Sequence, residues 1–278
     1  MSELSEFITK IDLETLTDSE RQYIRSVLPD GEAPELEEVW ALMDAAWNEY
    51  HCDPEVMDKR ISGFYKHPVW LLNGLFIEQH EGSLSHRRDF CEYAASLYPK
   101  RVADFGGGYG TLARMIGERC PDTEVHIVEP HPHARAVLLA QQTPNVRYVS
   151  ELEGEYDMLI ATDLFEHVPD PLAMVESTAN HLRLHGEYLI ANSFWPVIAC
   201  HLPSTFHFRY SWDKALRAMN LQPGRRVAYG QSFKRIGPVS AMSARAIEKR
   251  SKRWFDFIER MPHQLRPITV RLILRAEH

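Results

Sequence analysis

From Lys100 onward, short apolar runs alternate with amphipathic stretches, and that rhythm limits the folds open to the chain more than any other feature. The runs lie at residues 102–105, 124–129, 146–149, 158–161 and 187–191. Each is too short for a stable helix and rich in the side chains of buried strands. Helices begin near Gly110, Pro132 and Pro171 in the intervals. Such alternation predicts parallel βαβ units, and therefore a doubly wound α/β sheet of the Rossmann-like kind with helices on both faces. Residues 268–275 alternate well enough to be a last strand, preceded by a helix over 241–261 within a helical insertion at about 236–266. Arg245, Lys249, Arg250, Lys252 and Arg253 read as the solvated face of that helix.

Residues 1–98 have a different pattern, which is helical throughout. Thr17 and Glu20 have the spacing of a capping box. Leu36, Val39, Trp40, Met43, Ala46, Trp47 and Tyr50 form one apolar stripe at three- and four-residue intervals. Asp53-Pro54 reads as the cap and first-turn proline of a following helix, and Ser83 or Ser85 as the start of another. The aromatic run at 64–76 reads as core between these helices. The expected organisation is a helical, substrate-covering cap over 1–98 and a catalytic domain over 99–278.

Charge divides the chain at nearly the same place. Residues 1–60 carry 16 acids against 5 bases, whereas the remainder carries 23 against 26. An acidic face repels polynucleotides and argues against a nucleic-acid partner. With 44% hydrophobic and 25% charged residues, the chain has the composition of a globular protein. Its apolar runs fall short of a bilayer span and its N-terminus lacks an apolar signal core, so no membrane partner and a cytoplasmic location are expected. Cys52, Cys91, Cys120 and Cys200 are too scattered for a disulfide framework or zinc knuckle.

The sharpest local signal is Asp104-Phe105-Gly106-Gly107-Gly108-Tyr109-Gly110, placed where a first strand turns into a helix. Glycines there let a ligand approach the backbone closely. The dinucleotide fingerprint needs glycine where Thr111 stands, which disfavours a nicotinamide oxidoreductase, and the lysine of a triphosphate-binding loop is absent. Glu129 closes the second strand about twenty residues on, where a carboxylate can take both hydroxyls of a ribose. A third element, Asp163-Leu164-Phe165-Glu166-His167-Val168, follows the fourth strand and should face the same crevice.

Together these three elements resemble the class I S-adenosylmethionine-dependent methyltransferases of small-molecule type, over roughly residues 85–235. The resemblance implies that Asp104, Gly106, Gly107, Gly108 and Gly110 line the methionine portion of S-adenosyl-L-methionine and that Glu129 holds its ribose. It further implies that Asp163 and Leu164 lie along the cofactor, that Arg87 or Arg88 reaches its carboxylate, and that S-adenosyl-L-homocysteine is the product. Ser150 or Glu151 is left for the adenine, while His131 and His133 border it or cap the next helix.

The acceptor implied is a small metabolite or sugar-like natural-product precursor, methylated on oxygen; nitrogen and carbon are the alternatives. A non-catalytic adenosyl-binding partner protein is a further alternative. His201 and His207 follow the fifth strand and are the candidate bases, with Arg209 and Tyr210 as possible acceptor contacts. His167 reads as a buttress of its loop. No metal is expected, since methyl transfer needs none and two histidines and a carboxylate would have to converge from distant positions.

Overall fold

The computed structural model describes residue 7 and residues 15–261. Seven strands form one sheet in the order β3-β2-β1-β4-β5-β7-β6. They are β1 (Arg101–Phe105), β2 (Glu124–Val128), β3 (Val146–Val149), β4 (Tyr156–Thr162), β5 (Leu182–Ala191), β6 (Leu221–Val227) and β7 (Gly230–Arg235). The first five are mutually parallel, and β7 pairs antiparallel with both β5 and β6. The order reverses between β1 and β4, and the crevice above the strand ends at that point is where such sheets hold ligands.

Side-chain alternation along β4 builds both faces at once. Leu159 and Ala161 join Tyr188, Phe165, Leu172 and Phe208 on one side. Met158 and Ile160 join Phe90, Ala94, Leu112 and Ile116 on the other. All five expected strands and the helices after Gly110 and Pro132 are present, as is the helix at Pro171–Ala179.

The N-terminal residues form the expected helices, starting with Asp18–Val27, where Thr17 and Glu20 make the capping box. Leu36–Glu49 carries the predicted stripe, with Val39, Met43, Ala46 and Trp47 buried. The expected helix at Asp53-Pro54 is absent. Asp53 instead accepts from the Glu55 amide and bridges to Val56, and the helix starts at Lys59 under an Asp58 cap. His80, not a serine, caps Glu81–Ser96.

Two strands went unforeseen. β6 contains Pro223, Gly224 and two arginines, a composition tolerated at a sheet edge but carrying no strand signal. With β7 it is the last strand of the sheet among the described residues, and the helix Arg245–Glu259 follows these seven strands. The strand expected at 268–275 lies outside the described residues.

Candidate functional site

A cleft of about 1610 Å³ opens at the carboxyl ends of β1, β2 and β4. The N-terminal helices close over it from two sides. Leu71, Leu72 and Leu75 pack with Tyr109 of the glycine loop and Ala136. Val39, Met43, Phe64 and Phe76 pack with Cys200, Ile198 and Ala199, after β5. The aromatic run therefore serves as core, as expected, and also gives Tyr65, Trp70 and Phe76 to the cleft wall.

The glycine loop is shaped by backbone no other residue adopts easily. Gly106, Gly108 and Gly110 have φ of 74°, 52° and 75°. A Cβ on Gly107 would fall 2.8 Å from Asp104 Oδ2, so loop and carboxylate pack directly. A Cβ on Gly108 would meet nothing within 4 Å and would project into open space. Asp104 is buried beneath, with Oδ1 lacking a partner. Burial pushes its carboxyl up to about 7, against the pull of Arg87.

Glu129 reaches the loop from the end of β2. Its Oε2 accepts from the Gly108 amide at 3.2 Å and its Oε1 from the His131 amide at 3.0 Å. These bonds fix the carboxylate beside the glycines. Both arginines of the sequence pair are placed: Arg88 bonds Glu81 at the surface, whereas Arg87 lines the cleft and acts electrostatically on Asp104 and Asp163. Ser150 and Glu151 both reach the cleft, as do His131 and His133. His133 caps the helix Ala134–Ala140 through Nδ1 and bonds Glu20 through Nε2.

After β4, Asp163 takes a positive φ of 49° and stands exposed to the cleft rather than sealed in the core, within the desolvating walls of that cleft. Desolvation by the cleft walls raises its carboxyl, and the Tyr229 hydroxyl, 2.8 Å from Oδ2, opposes the rise. Leu164 packs under Gly106, where a Cβ would come within 3.0 Å of its Cδ1. Glu166 is fully buried, accepts from the Ser193 amide at 2.8 Å, and is pushed up to about 8 by burial and by Asp163.

The two candidate bases part company. His201 lines the cleft, its Nδ1 2.7 Å from the Trp195 carbonyl, and burial lowers its pKa. His207 is not among the cleft-lining residues. It is buried against Phe208 with neither ring nitrogen partnered, and burial brings it down to about 4. The segment after β5 turns inward at residues 203–210, which seats His207 in the core, away from the cleft that His201 lines. Arg209 likewise leaves the cleft, stacking 4.0 Å from the Trp195 ring. His167 buttresses its loop by bonding the Cys200 carbonyl at 3.1 Å.

Sequence reasoning missed Tyr229. It sits in a two-residue turn between β6 and β7, and the antiparallel pairing of β7 with β5 carries that turn to the cleft. Only its aromatic ring beside a glycine hinted at a turn.

A family model for a methyltransferase domain matches residues 76–228, more than half of the chain, and the chain belongs to that family. Ubiquinone biosynthesis O-methyltransferase of Aliivibrio fischeri (strain MJ11) is 29% identical over 126 residues, covering 42% of this chain and 54% of that protein. Its namesake in Vibrio cholerae serotype O1 (strain ATCC 39315 / El Tor Inaba N16961) is 32% identical over 126 residues, covering 42% and 51%. The chain thus spans about half the length of the curated relatives it matches. A solved O-methyltransferase family protein from Burkholderia thailandensis superposes with a TM-score of 0.52 at 13% identity, covering 72% of this chain and 70% of that one. That likeness establishes the fold, the Rossmann-like sheet of the class I methyltransferases. No helix among the described residues is long and apolar enough to cross a membrane.

Proposed function

We propose that this protein transfers the methyl group of S-adenosylmethionine to a hydroxyl of a small metabolite held under its N-terminal helices. One observation carries the reading: a single cleft joins the glycine loop, Glu129 and Asp163 to His201 and to the aromatic wall. The open space above Gly108 and the unpartnered Asp104 Oδ1 suit a cofactor laid against the loop. Glu129 would hold the ribose, Arg87 the amino-acid carboxylate, and Asp163 with Leu164 the side facing β4. The cofactor supplies an activated methyl group with its own leaving group, so the protein's part is alignment, dryness and proton handling.

In the transfer, the acceptor oxygen forms a bond to the methyl carbon while the sulfur–carbon bond breaks, its electron pair passing to sulfur. The hydroxyl proton must leave. His201 is the group that would receive it, since it lines the cleft with its Nδ1 held by the Trp195 carbonyl and its ring also against the Ser193 backbone. Residues 1–98 form the cap and 99–278 the catalytic domain; Tyr65, Trp70 and Phe76 enclose an acceptor with apolar surface.

Titration calorimetry with S-adenosylmethionine, S-adenosylhomocysteine and NADH tests the cofactor. Micromolar binding of the two adenosyl ligands alone, about −8 kcal/mol, is expected. Glu129→Ala should weaken it by roughly 1–3 kcal/mol through loss of charged hydrogen bonds. Unchanged affinity in that variant would remove the ribose assignment.

A further inference from the structure

Beside the acceptor end of the cleft, Glu166, His167 and His201 bring one ligand atom each to within 4.8 Å of one another. They come from two segments, a single turn after β4 and the stretch after β5, with His167 and His201 lying 34 positions apart. Two bonds lock those segments together: the Leu202 amide donates to the Glu166 carbonyl at 2.8 Å, and His167 Nδ1 lies 3.1 Å from the Cys200 carbonyl.

The arrangement of the ring nitrogens is informative. Both imidazoles engage a backbone carbonyl through Nδ1, His167 with Cys200 and His201 with Trp195. That bond puts hydrogen on Nδ1, the usual second partner of a metal-ligating histidine, and leaves Nε2 of His167 as a lone pair; the His201 ring also meets the Ser193 backbone. The rings stand nearly perpendicular, at 85°, with centroids 4.8 Å apart. Glu166 supplies the independent observation. It is fully buried, its Oε1 takes the Ser193 amide, and its Oε2 is buried with no partner. A carboxylate oxygen in that position is costly unless a cation or donor meets it.

We infer that Glu166, His167 and His201 form a site for a divalent transition-metal cation that opens onto the acceptor end of the cleft. Two imidazoles and one carboxylate select zinc, manganese or iron over magnesium and calcium, which prefer oxygen cages. Bonds of about 2.1 Å place such ligands about 3–4 Å apart, so the side chains close in by about an ångström on loading. His167 and His201 line the cleft, so the remaining coordination positions face it.

The inference deepens the methyl-transfer reading and rests on it for the role of the ion. A hydroxyl bound to the cation parts with its proton more readily, and the proton passes to water in the cleft. The oxygen then forms its bond to the methyl carbon as the sulfur–carbon bond breaks. In the loaded protein His201 is a ligand to the ion, and the cation takes over the task assigned to its free imidazole.

The test uses the full chain, stripped with a chelator and dialysed, then titrated with Mn²⁺, Zn²⁺ and Mg²⁺. One equivalent of Mn²⁺ or Zn²⁺ should bind per chain, with Mg²⁺ at least about tenfold weaker. Glu166→Gln and His201→Ala should each weaken Mn²⁺ binding by roughly 100-fold, and S-adenosylhomocysteine affinity, measured in parallel, reports whether the variants fold. Should a variant fail to fold, the visible absorption of the Co²⁺-loaded wild-type chain decides: nitrogen-ligated bands support the site, and their absence overturns it. A wild-type chain that takes up no stoichiometric transition metal overturns the inference, as do two folded variants that bind Mn²⁺ normally. Loss of adenosyl binding with metal binding intact would instead sink the cofactor reading alone.

Discussion

The Tyr229 hydroxyl lies 2.8 Å from Asp163 Oδ2, joining the β6–β7 turn to the loop after β4. Its ring leans on His86 and Phe90, with centroids at 5.0 and 5.5 Å, so the helix Glu81–Ser96 sets its position. Asp163, desolvated by the cleft walls and beside Glu166, would otherwise rise further toward its neutral form. Tyr229→Phe removes the donor and keeps the ring. Adenosyl affinity should fall about 5- to 10-fold, or about 1–1.4 kcal/mol, with thermal stability nearly unchanged. Calorimetry that finds equal affinity would show that Asp163 needs no such support.

Arg87 and Arg88 are adjacent on one helix but meet different surroundings. Arg88 pairs with Glu81 in the open, whereas Arg87 faces the cleft and influences both Asp104 and Asp163. Arg87→Ala should weaken S-adenosylhomocysteine binding by about tenfold or more, while Arg88→Ala should leave it unaltered, because exposed ion pairs contribute little. Lysine at 87 should restore only part of the loss, lacking the two-pronged contact. Equal effects at 87 and 88 would refute the placement.

That pair also shows where sequence stops. Helical periodicity puts neighbouring residues about 100° apart, but the orientation of the helix on the sheet decides which one meets the cleft. The parallel strands were legible because burial on both faces writes continuous apolar runs, as in Met158–Ala161. β6 was illegible because an edge strand can keep Pro223 and three polar neighbours. The site divides similarly. Gly106 to Gly110 and Glu129 announce themselves locally, since backbone conformation and strand ends dictate them. His167 and His201 meet only through packing between loops, and Thr205, Phe206 and Phe208 bury the segment that carries His207 inward.

Gly108 and Gly110 separate the two uses of glycine in the loop. Both have positive φ, so alanine at either costs about 1–2 kcal/mol in backbone strain. At Gly110 the new Cβ would also lie 2.7 Å from Ile127 Cδ1 and 2.9 Å from the Tyr148 hydroxyl, adding about 1–3 kcal/mol of overpacking. At Gly108 the Cβ enters open space. Gly110→Ala should therefore be distinctly less stable in urea, whereas Gly108→Ala should fold well yet bind S-adenosylhomocysteine at least about tenfold more weakly. Normal binding by Gly108→Ala would mean that no ligand lies against this part of the loop.

His207 governs a separate property, the dependence of stability on pH. Its folded pKa is lowered from 6.5 to about 4, first by burial and then by Lys252. The unfolded chain therefore takes up a proton between about pH 6.5 and pH 4 that the folded chain refuses. Stability from this group is complete above pH 6.5 and drains away as the pH falls toward 4, by about 3 kcal/mol over the window. His207→Leu abolishes the titration and keeps an apolar side chain against Phe208. Because the imidazole is not among the cleft-lining residues, adenosyl binding at pH 7 should match the wild type. Urea unfolding at pH 7, 5.5 and 4.5 should show the wild-type curve dropping more steeply than that of the variant. Parallel curves would mean that His207 keeps an ordinary affinity for its proton, through contact with water in the folded state.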